Sequence, residues 1–313
     1  MMKTSPCRPA SGHLILFLFV FGFLFYHQPP CKAQEITITP VPPAGFIWKS
    51  TINQATFYLV GSVHAGKEAY YPLPEQYLGC YTNADVLIME LEDDFATLEV
   101  KMIDYAEKDR LPEEQYFRHH LDSTTLAKIL GVLELKEFQK YDQYKGWFLN
   151  MILSGTKHRL YGFHGDHGID MYFRNRAKQD NKQVIGLDRF EDQFALFEFD
   201  VPYEAQIQVI QRAAGSLQMQ ATAELPLLEA YYSQDSDRFE KVFASMYDFT
   251  NPVMKDVYDQ VFSARNKKWV KHLEEIARNG GKTYMVLVGA GHFFGPDNVR
   301  DLLKSRGYQV ESL

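Results

Sequence analysis

Cysteine is scarce in this chain: three residues in 313, of which Cys7 and Cys31 fall within the first 33. Basic excess is missing as well, with 33 Lys and Arg against 40 Asp and Glu and a formal charge of −7, which argues against nucleic acid as a partner. There is no apolar run long enough to span a bilayer. Leu14–Tyr26 has 13 residues, against the ~20 that a spanning helix needs. No linker or low-complexity stretch interrupts the chain, and 46% hydrophobic with 23% charged residues is the profile of a folded globular protein. The phosphate-cradling Gly-rich loop, the GxSxG elbow and HExxH are all absent, so nucleotide chemistry, an elbow serine and a zincin helix are set aside.

What is present begins with an export signal over residues 1–33. Lys3 and Arg8 precede the apolar run, and Cys31-Lys32-Ala33 ends in a small residue suited to cleavage before Gln34. Residues 34–313 then read as one exported domain, periplasmic or extracellular, touching a membrane only if the signal stays uncleaved. Removing the signal takes three bases and no acid, so the formal charge becomes −10 and Cys80 is the sole cysteine. A disulfide within that mature chain is excluded even in an oxidising compartment. Cys80 lies in a predicted helix as a buried apolar filler.

Four short apolar runs recur, Phe57–Val60, Val86–Met89, Gln183–Ile185 and Tyr284–Val288, each followed by helical sequence. They are continuous rather than alternating, as strands buried on both faces are. The fold class that follows is α/β: a mostly parallel central sheet with helices between. Asp122-Ser123 is expected to cap a helix through Leu135, with Phe138, Tyr141, Tyr144, Phe148 and Met151 continuing its apolar face. One long helix is expected from Pro252 to Arg278, stopped by Gly280-Gly281. The helices over 95–160 and 200–250 exceed simple crossovers and read as a helical insertion or cap. Leu59-Val-Gly-Ser-Val-His64 is echoed by Leu287-Val-Gly-Ala-Gly-His292, which suggests two related halves.

In open α/β sheets, ligands bind outside the carboxyl ends of the strands. The residues just past the four runs are His64, Glu90 with Glu92, Asp188 and His292. Glu90 ends a buried run, where a carboxylate needs a partner. Two imidazoles with carboxylates suit a divalent transition metal: Zn, Fe or Co, with Mn brought in by the carboxylate. His64, Glu90 and His292 are candidate ligands, and Glu92 and Asp188 candidate ligands or general bases. Arg265 with Asn266 on the long helix either steadies an oxyanion or stands on an exposed helix face. The choice among them comes only from the resemblance that follows. His164-Gly-Asp166-His167 packs two imidazoles and a carboxylate into four residues, but it reads as the entry to the helix beginning near Gly168.

Those residues resemble the TraB/GumN family, which includes the Tiki metalloproteases. The likeness rests on Gly61-Ser-Val-His64, Tyr71-Pro-Leu-Pro74, Ala84–Glu90, Gly168-Ile-Asp170, Gly186-Leu-Asp188 with Gln193, Arg265-Asn266 and Val288–His292 through Gly295. The resemblance implies a two-halved α/β fold, a site centred on His64, Glu90 and His292, and metal-dependent peptidase activity of the Tiki kind. One departure is Asp188, where the family usually carries Glu. The expected function is an exported metal-dependent hydrolase acting on a peptide or protein. The alternative is a non-catalytic envelope protein that binds a metal or haem.

Overall fold

In a computed structural model, residues 46–313 are described apart from 109, 198–201, 218–223, 248 and 279. The expected export signal and its cleavage point lie outside the described residues. Six strands form one sheet: β1 (Ile47–Ile52), β2 (Ala55–Ser62), β3 (Val86–Met89), β4 (Gln183–Gly186), β5 (Thr283–Gly289) and β6 (Val310–Ser312), in the order β4-β3-β5-β2-β1-β6. The four apolar runs are β2, β3, β4 and β5, and they are mutually parallel neighbours. β3 is buried at every residue, and β2 and β5 nearly so, which is why their sequences do not alternate.

The sheet also holds what the runs did not reveal. β1 pairs antiparallel with β2 through the Asn53-Gln54 turn, where both residues have positive φ, and β6 closes the edge against β1. The two echoed strands lie side by side, but Gly61 pairs with Val288 and Ser62 with Gly289. That register is one residue off the echo, so equivalent residues point to opposite faces.

Helices fill the long connections, as the insertion reading expected. Asp122 caps its helix by accepting from the Thr125 amide at 2.9 Å. That helix is Ser123–Leu130 rather than running to Leu135; separate helices follow at Leu135–Tyr141 and Gly146–Leu160. A shared apolar face had disguised the breaks at Gly131 and Asp142–Lys145. The Pro252–Ala277 helix contains a π-helical turn at Asp259–Ser263, and Gly280 and Gly281 follow with positive φ. Cys80 sits buried in the Glu75–Asn83 helix.

The loop after β2 is held on three sides. Tyr231 and Tyr232, at the end of the Glu224–Tyr232 helix, donate to Gly61 O and Ala65 O, each at 2.7 Å. Ile169 N donates to Val63 O at 3.0 Å, and Gly66 exchanges two backbone bonds with His164. Gly168 lets this approach happen, because a Cβ there would stand 2.6 Å from His64 O. The His164–His167 segment thus serves as backbone support for His64, leading into the Ile169–Gln179 helix.

Tyr231 also meets the Tyr77 hydroxyl at 2.9 Å, both rings being fully buried. Tyr231→Phe leaves Gly61 O and the Tyr77 hydroxyl without this partner and is expected to cost about 1–3 kcal/mol. Urea unfolding of the folded chain measures it; a change below experimental error would contradict the clamp.

Candidate functional site

The carboxyl ends of β2, β3, β4 and β5 bring His64, Glu90, Asp188 and His292 to one edge, as the strand rule predicts. β3 stops at Met89 and β4 at Gly186, and Asp188 N donates to Glu90 O at 2.9 Å. The two carboxylates are therefore neighbours. Arg265 joins them from the Ala264–Ala277 helix: Nη2 to Glu90 Oε2 at 2.5 Å and Nε to Asp188 Oδ2 at 2.8 Å. The side chains are 8% (Arg265), 13% (Glu90) and 2% (Asp188) exposed, so water screens them little. Burial opposes the charge on Glu90, but Arg265, His64 and the Gly289 amide together hold its carboxyl well below the usual range.

Arg265 reaches inward because of its helix. The π-helical turn inserts an extra residue per turn just before it, and Val261, Phe262, Arg265, Asn266 and Trp269 are all buried. Nη1 of Arg265 donates to Val261 O at 3.2 Å and lies 3.3 Å from His292 Nε2. Four of the five guanidinium hydrogens are thus engaged, leaving one on Nη2. Trp269 stacks under the guanidinium at 4.6 Å and donates Nε1–H to Asp188 Oδ1 at 2.9 Å.

The tautomer of His292 follows from its hydrogen bonds. Asn266 Nδ2 donates to Asp297 O at 2.9 Å, so its Oδ1 must accept from His292 Nδ1 at 2.6 Å. Nε2 then carries the lone pair, 3.9 Å from Glu90 Oε1. Burial and the adjacent Arg265 push this imidazole down to about 3, so it is neutral. Phe262 and Trp269 pack on the ring at 4.9 and 4.2 Å between centroids.

His64 behaves oppositely. Its Nδ1 meets Asp170 Oδ2 at 2.9 Å, and the ring is 21% exposed. Burial alone would lower its pKa, but the Asp170 charge and hydrogen bond, with Glu90 behind them, raise it to about 9. The other Asp170 oxygen, Oδ1, is buried and has no hydrogen-bond partner.

The expected residues separate into groups. His64, Glu90, His292, Asp188, Arg265 and Asn266 form one connected cluster. Glu92 is exposed and lines neither cavity at the site, because the strand ends before it and the alternation that would align it with Glu90 stops. Asp188 opens on neither cavity; its oxygens accept from Arg265, Trp269, Lys268 and Gln193. Among the described residues, no group of three or more His, Cys, Asp or Glu stands close enough to hold a metal ion. Sequence reasoning missed Asp170, read as a helix start, and His158, which lines a cavity with His64, Glu90 and His292.

A family model described as the TraB/PrgY/gumN family matches residues 46–312, so the chain belongs to that family. It is similar to an uncharacterized protein, YbaP, of Escherichia coli K12, at 26% identity over 79% of this chain and 88% of that protein. The YbaP of Shigella flexneri is 25% identical over 79% and 87%, and an uncharacterized protein of Treponema pallidum is 19% identical over 83% and 80%. No solved structure matches the chain.

Two outcomes follow. Arg265→Leu strands two buried carboxylates and is expected to cost about 3–5 kcal/mol, read as a fall in the unfolding midpoint. In metal-free protein, the His64 imidazole should titrate near pH 9 and fall sharply in Asp170→Asn, as followed by its NMR Cε1–H shift. Because its folded pKa is raised, the pair's stability contribution is complete below about 6.5 and is lost as pH rises through about 9. A wild-type midpoint at or below 6.5 would contradict the pairing.

Proposed function

We propose that the protein is an exported metal-dependent hydrolase that cleaves a peptide bond in a peptide or protein. The observation that carries this reading is the matched tethering of the two imidazoles, although their protonation differs. Each has Nδ1 tied by a side-chain oxygen, Asp170 for His64 and Asn266 for His292, which leaves Nε2 of both rings for another partner. Glu90 lines both cavities with His64, and one of them with His292 as well. Second-sphere acceptors of this kind orient metal-bound histidines.

The donors suit a divalent transition metal (Mn, Co, Zn or Fe) in residue type. Among the described residues, however, they do not stand close enough to enclose one as placed, and His64 must first lose its proton. Arg265 Nη1 currently shares His292 Nε2, so a ligand role for His292 requires the guanidinium to turn from it while keeping Asp188 and Glu90. His64, Glu90 and His292 would hold the ion, which when bound supplies a Lewis acid and water of lowered pKa.

The chain's own groups divide the remaining work. Asp170 Oδ2 orients His64, and its unpartnered Oδ1 is set to accept the proton released when water adds to the carbonyl. Arg265 lines neither cavity itself, but its Nη2, which carries the free hydrogen, lies against Glu90, which lines both. That Nη2 is assigned as the donor for the oxyanion once the guanidinium turns toward the seam. Asp188, Trp269 and Gln193 hold Arg265 and Glu90 in place. Asp170 thus takes the proton-accepting role first expected of Glu92 or Asp188.

The test pairs metal analysis with digestion of a peptide library, read by mass spectrometry. Wild type is expected to hold about one transition-metal ion per chain and to cleave peptides, and His64→Ala to lose both. Asp170→Asn should lose activity by roughly 10²-fold, the upper end for a second-sphere group. Protein without stoichiometric metal, whose cleavage is unchanged in His64→Ala, would sink the proposal.

A further inference from the structure

Two cavities open on the site, and Ser62, His64 and Glu90 line both. Away from this seam their walls are largely apolar. The larger, about 90 Å³, is walled by Met89, Phe95, Leu98, Met171 and Phe194. The smaller, about 60 Å³, is walled by Leu227, Leu228, Phe239, Phe243 and Phe262. His64 and Glu90 therefore stand where two apolar chambers meet.

Ser62 adds a second, independent feature. It is the last residue of β2, is 2% exposed, and its Oγ has no hydrogen-bond partner. A buried hydroxyl left unpaired is destabilising, and this one lies in the wall common to both chambers. Its register partner on β5 is Gly289, where an added Cβ would stand 3.3 Å from Glu90 Oε1. The missing side chain keeps the seam between Ser62 and Glu90 open.

We propose that the chambers are paired side-chain subsites for a peptide whose cleavable bond lies between two short aliphatic residues, with Ser62 hydrogen-bonded to the peptide group at the seam. The inference rests on the hydrolase reading for placing the reacting bond at that seam. Size selects the occupants. A cavity of about 150 Å³ lined by Leu, Ile and Phe holds benzene, so chambers of about 60 and 90 Å³ suit alanine- to leucine-sized groups and refuse aromatic rings. Charge is refused too. In the larger chamber Arg174 already donates to the carbonyls of Leu91, Glu92 and Asp93, and Asp170 is the one carboxylate away from the seam. In the smaller chamber the walls away from the seam hold no carboxylate, so a charged side chain entering it would be desolvated without a partner. That suffices to refuse a doubly charged dipeptide.

The test titrates N-acetyl dipeptide methylamides with Val-Ala, Gly-Gly, Phe-Phe and Lys-Lys side chains into the full mature chain. Binding is read by calorimetry, and cleavage is read separately by mass spectrometry. At roughly fourfold per buried methylene, Val-Ala is expected to bind at least tenfold tighter than each of the other three. Leu228→Phe, which fills the smaller chamber, should abolish that preference. Phe243→Ala, which enlarges that chamber alone, should admit one aromatic ring in the mixed probes Phe-Ala or Ala-Phe while still refusing Phe-Phe. Ser62→Ala should weaken Val-Ala binding about three- to tenfold with an unfolding midpoint unchanged or raised, and Ser62→Thr should restore binding. Equal affinity for the four probes, no binding of any, or full affinity in Ser62→Ala overturns the proposal. Selective binding without cleavage keeps the subsites and sinks the hydrolase reading; cleavage without selectivity does the reverse.

Discussion

The guanidinium of Arg265 is the constraint on which the site depends. Two carboxylates at the ends of adjacent parallel strands, both nearly buried, need a partner that can hydrogen-bond both at once. A lysine would bring one point charge, whereas the planar fork of arginine presents Nε to Asp188 and Nη2 to Glu90 at once. Such a buried network gives little net stability, since desolvation offsets the attraction. What it gives is position. It ties β3, the segment after β4 and the Ala264–Ala277 helix to one atom group, and Trp269 and Gln193 leave that group little freedom to rotate.

The sheet supplies the second part of that positioning. Because β2, β3, β4 and β5 run parallel, their carboxyl ends share one edge, and the polar residue past each run is delivered there. This holds even for β4, which lies at the sheet edge and is only half-buried, contrary to the expectation of burial on both faces. The helical insertions then act as clamps. Two consecutive tyrosines hold carbonyls on either side of His64, and the start of the Ile169–Gln179 helix delivers Asp170 to its ring. The cost of ordering this loop is offset by packing directly beside it, in the aromatic cluster of Phe46, Tyr231, Phe239 and Phe294.

Much of the fold was legible in the chain because parallel strands leave a plain mark: four short apolar runs, three of them buried, with a histidine or carboxylate a few residues past each end. The rest lacked such a mark. β1 follows a proline-rich lead-in, and its Ile-Trp-Lys-Ser-Thr-Ile neither alternates cleanly nor forms an apolar run. The end of β3 at Met89 is invisible in Leu91-Glu92, so Glu92 was placed beside Glu90 by an alternation that had already ceased. Asp170 has a sufficient local explanation at a helix start, and its partner lies 106 residues away. The π-helical turn has no compositional signal, although it sets which face of the long helix meets the sheet.

The contrast between the two histidines follows from these surroundings rather than from the residues themselves. His292 sits on the arginine side, packed between rings, with its proton fixed on Nδ1 by a relay from a backbone carbonyl through Asn266. Only the neutral form is tolerated there. His64 sits on the carboxylate side, with Asp170 in contact and Glu90 nearby, and keeps its proton. That proton faces Asp170, which Arg265 does not reach, since the guanidinium is committed to Glu90 and Asp188. Any cation that came to rest on His64 Nε2 would have to displace the proton first, because a ligating imidazole must be neutral. On the proposed reading, proton and cation would compete for His64 Nε2, and Arg265, by occupying Glu90 and Asp188, leaves Asp170 as the carboxylate that holds the proton there.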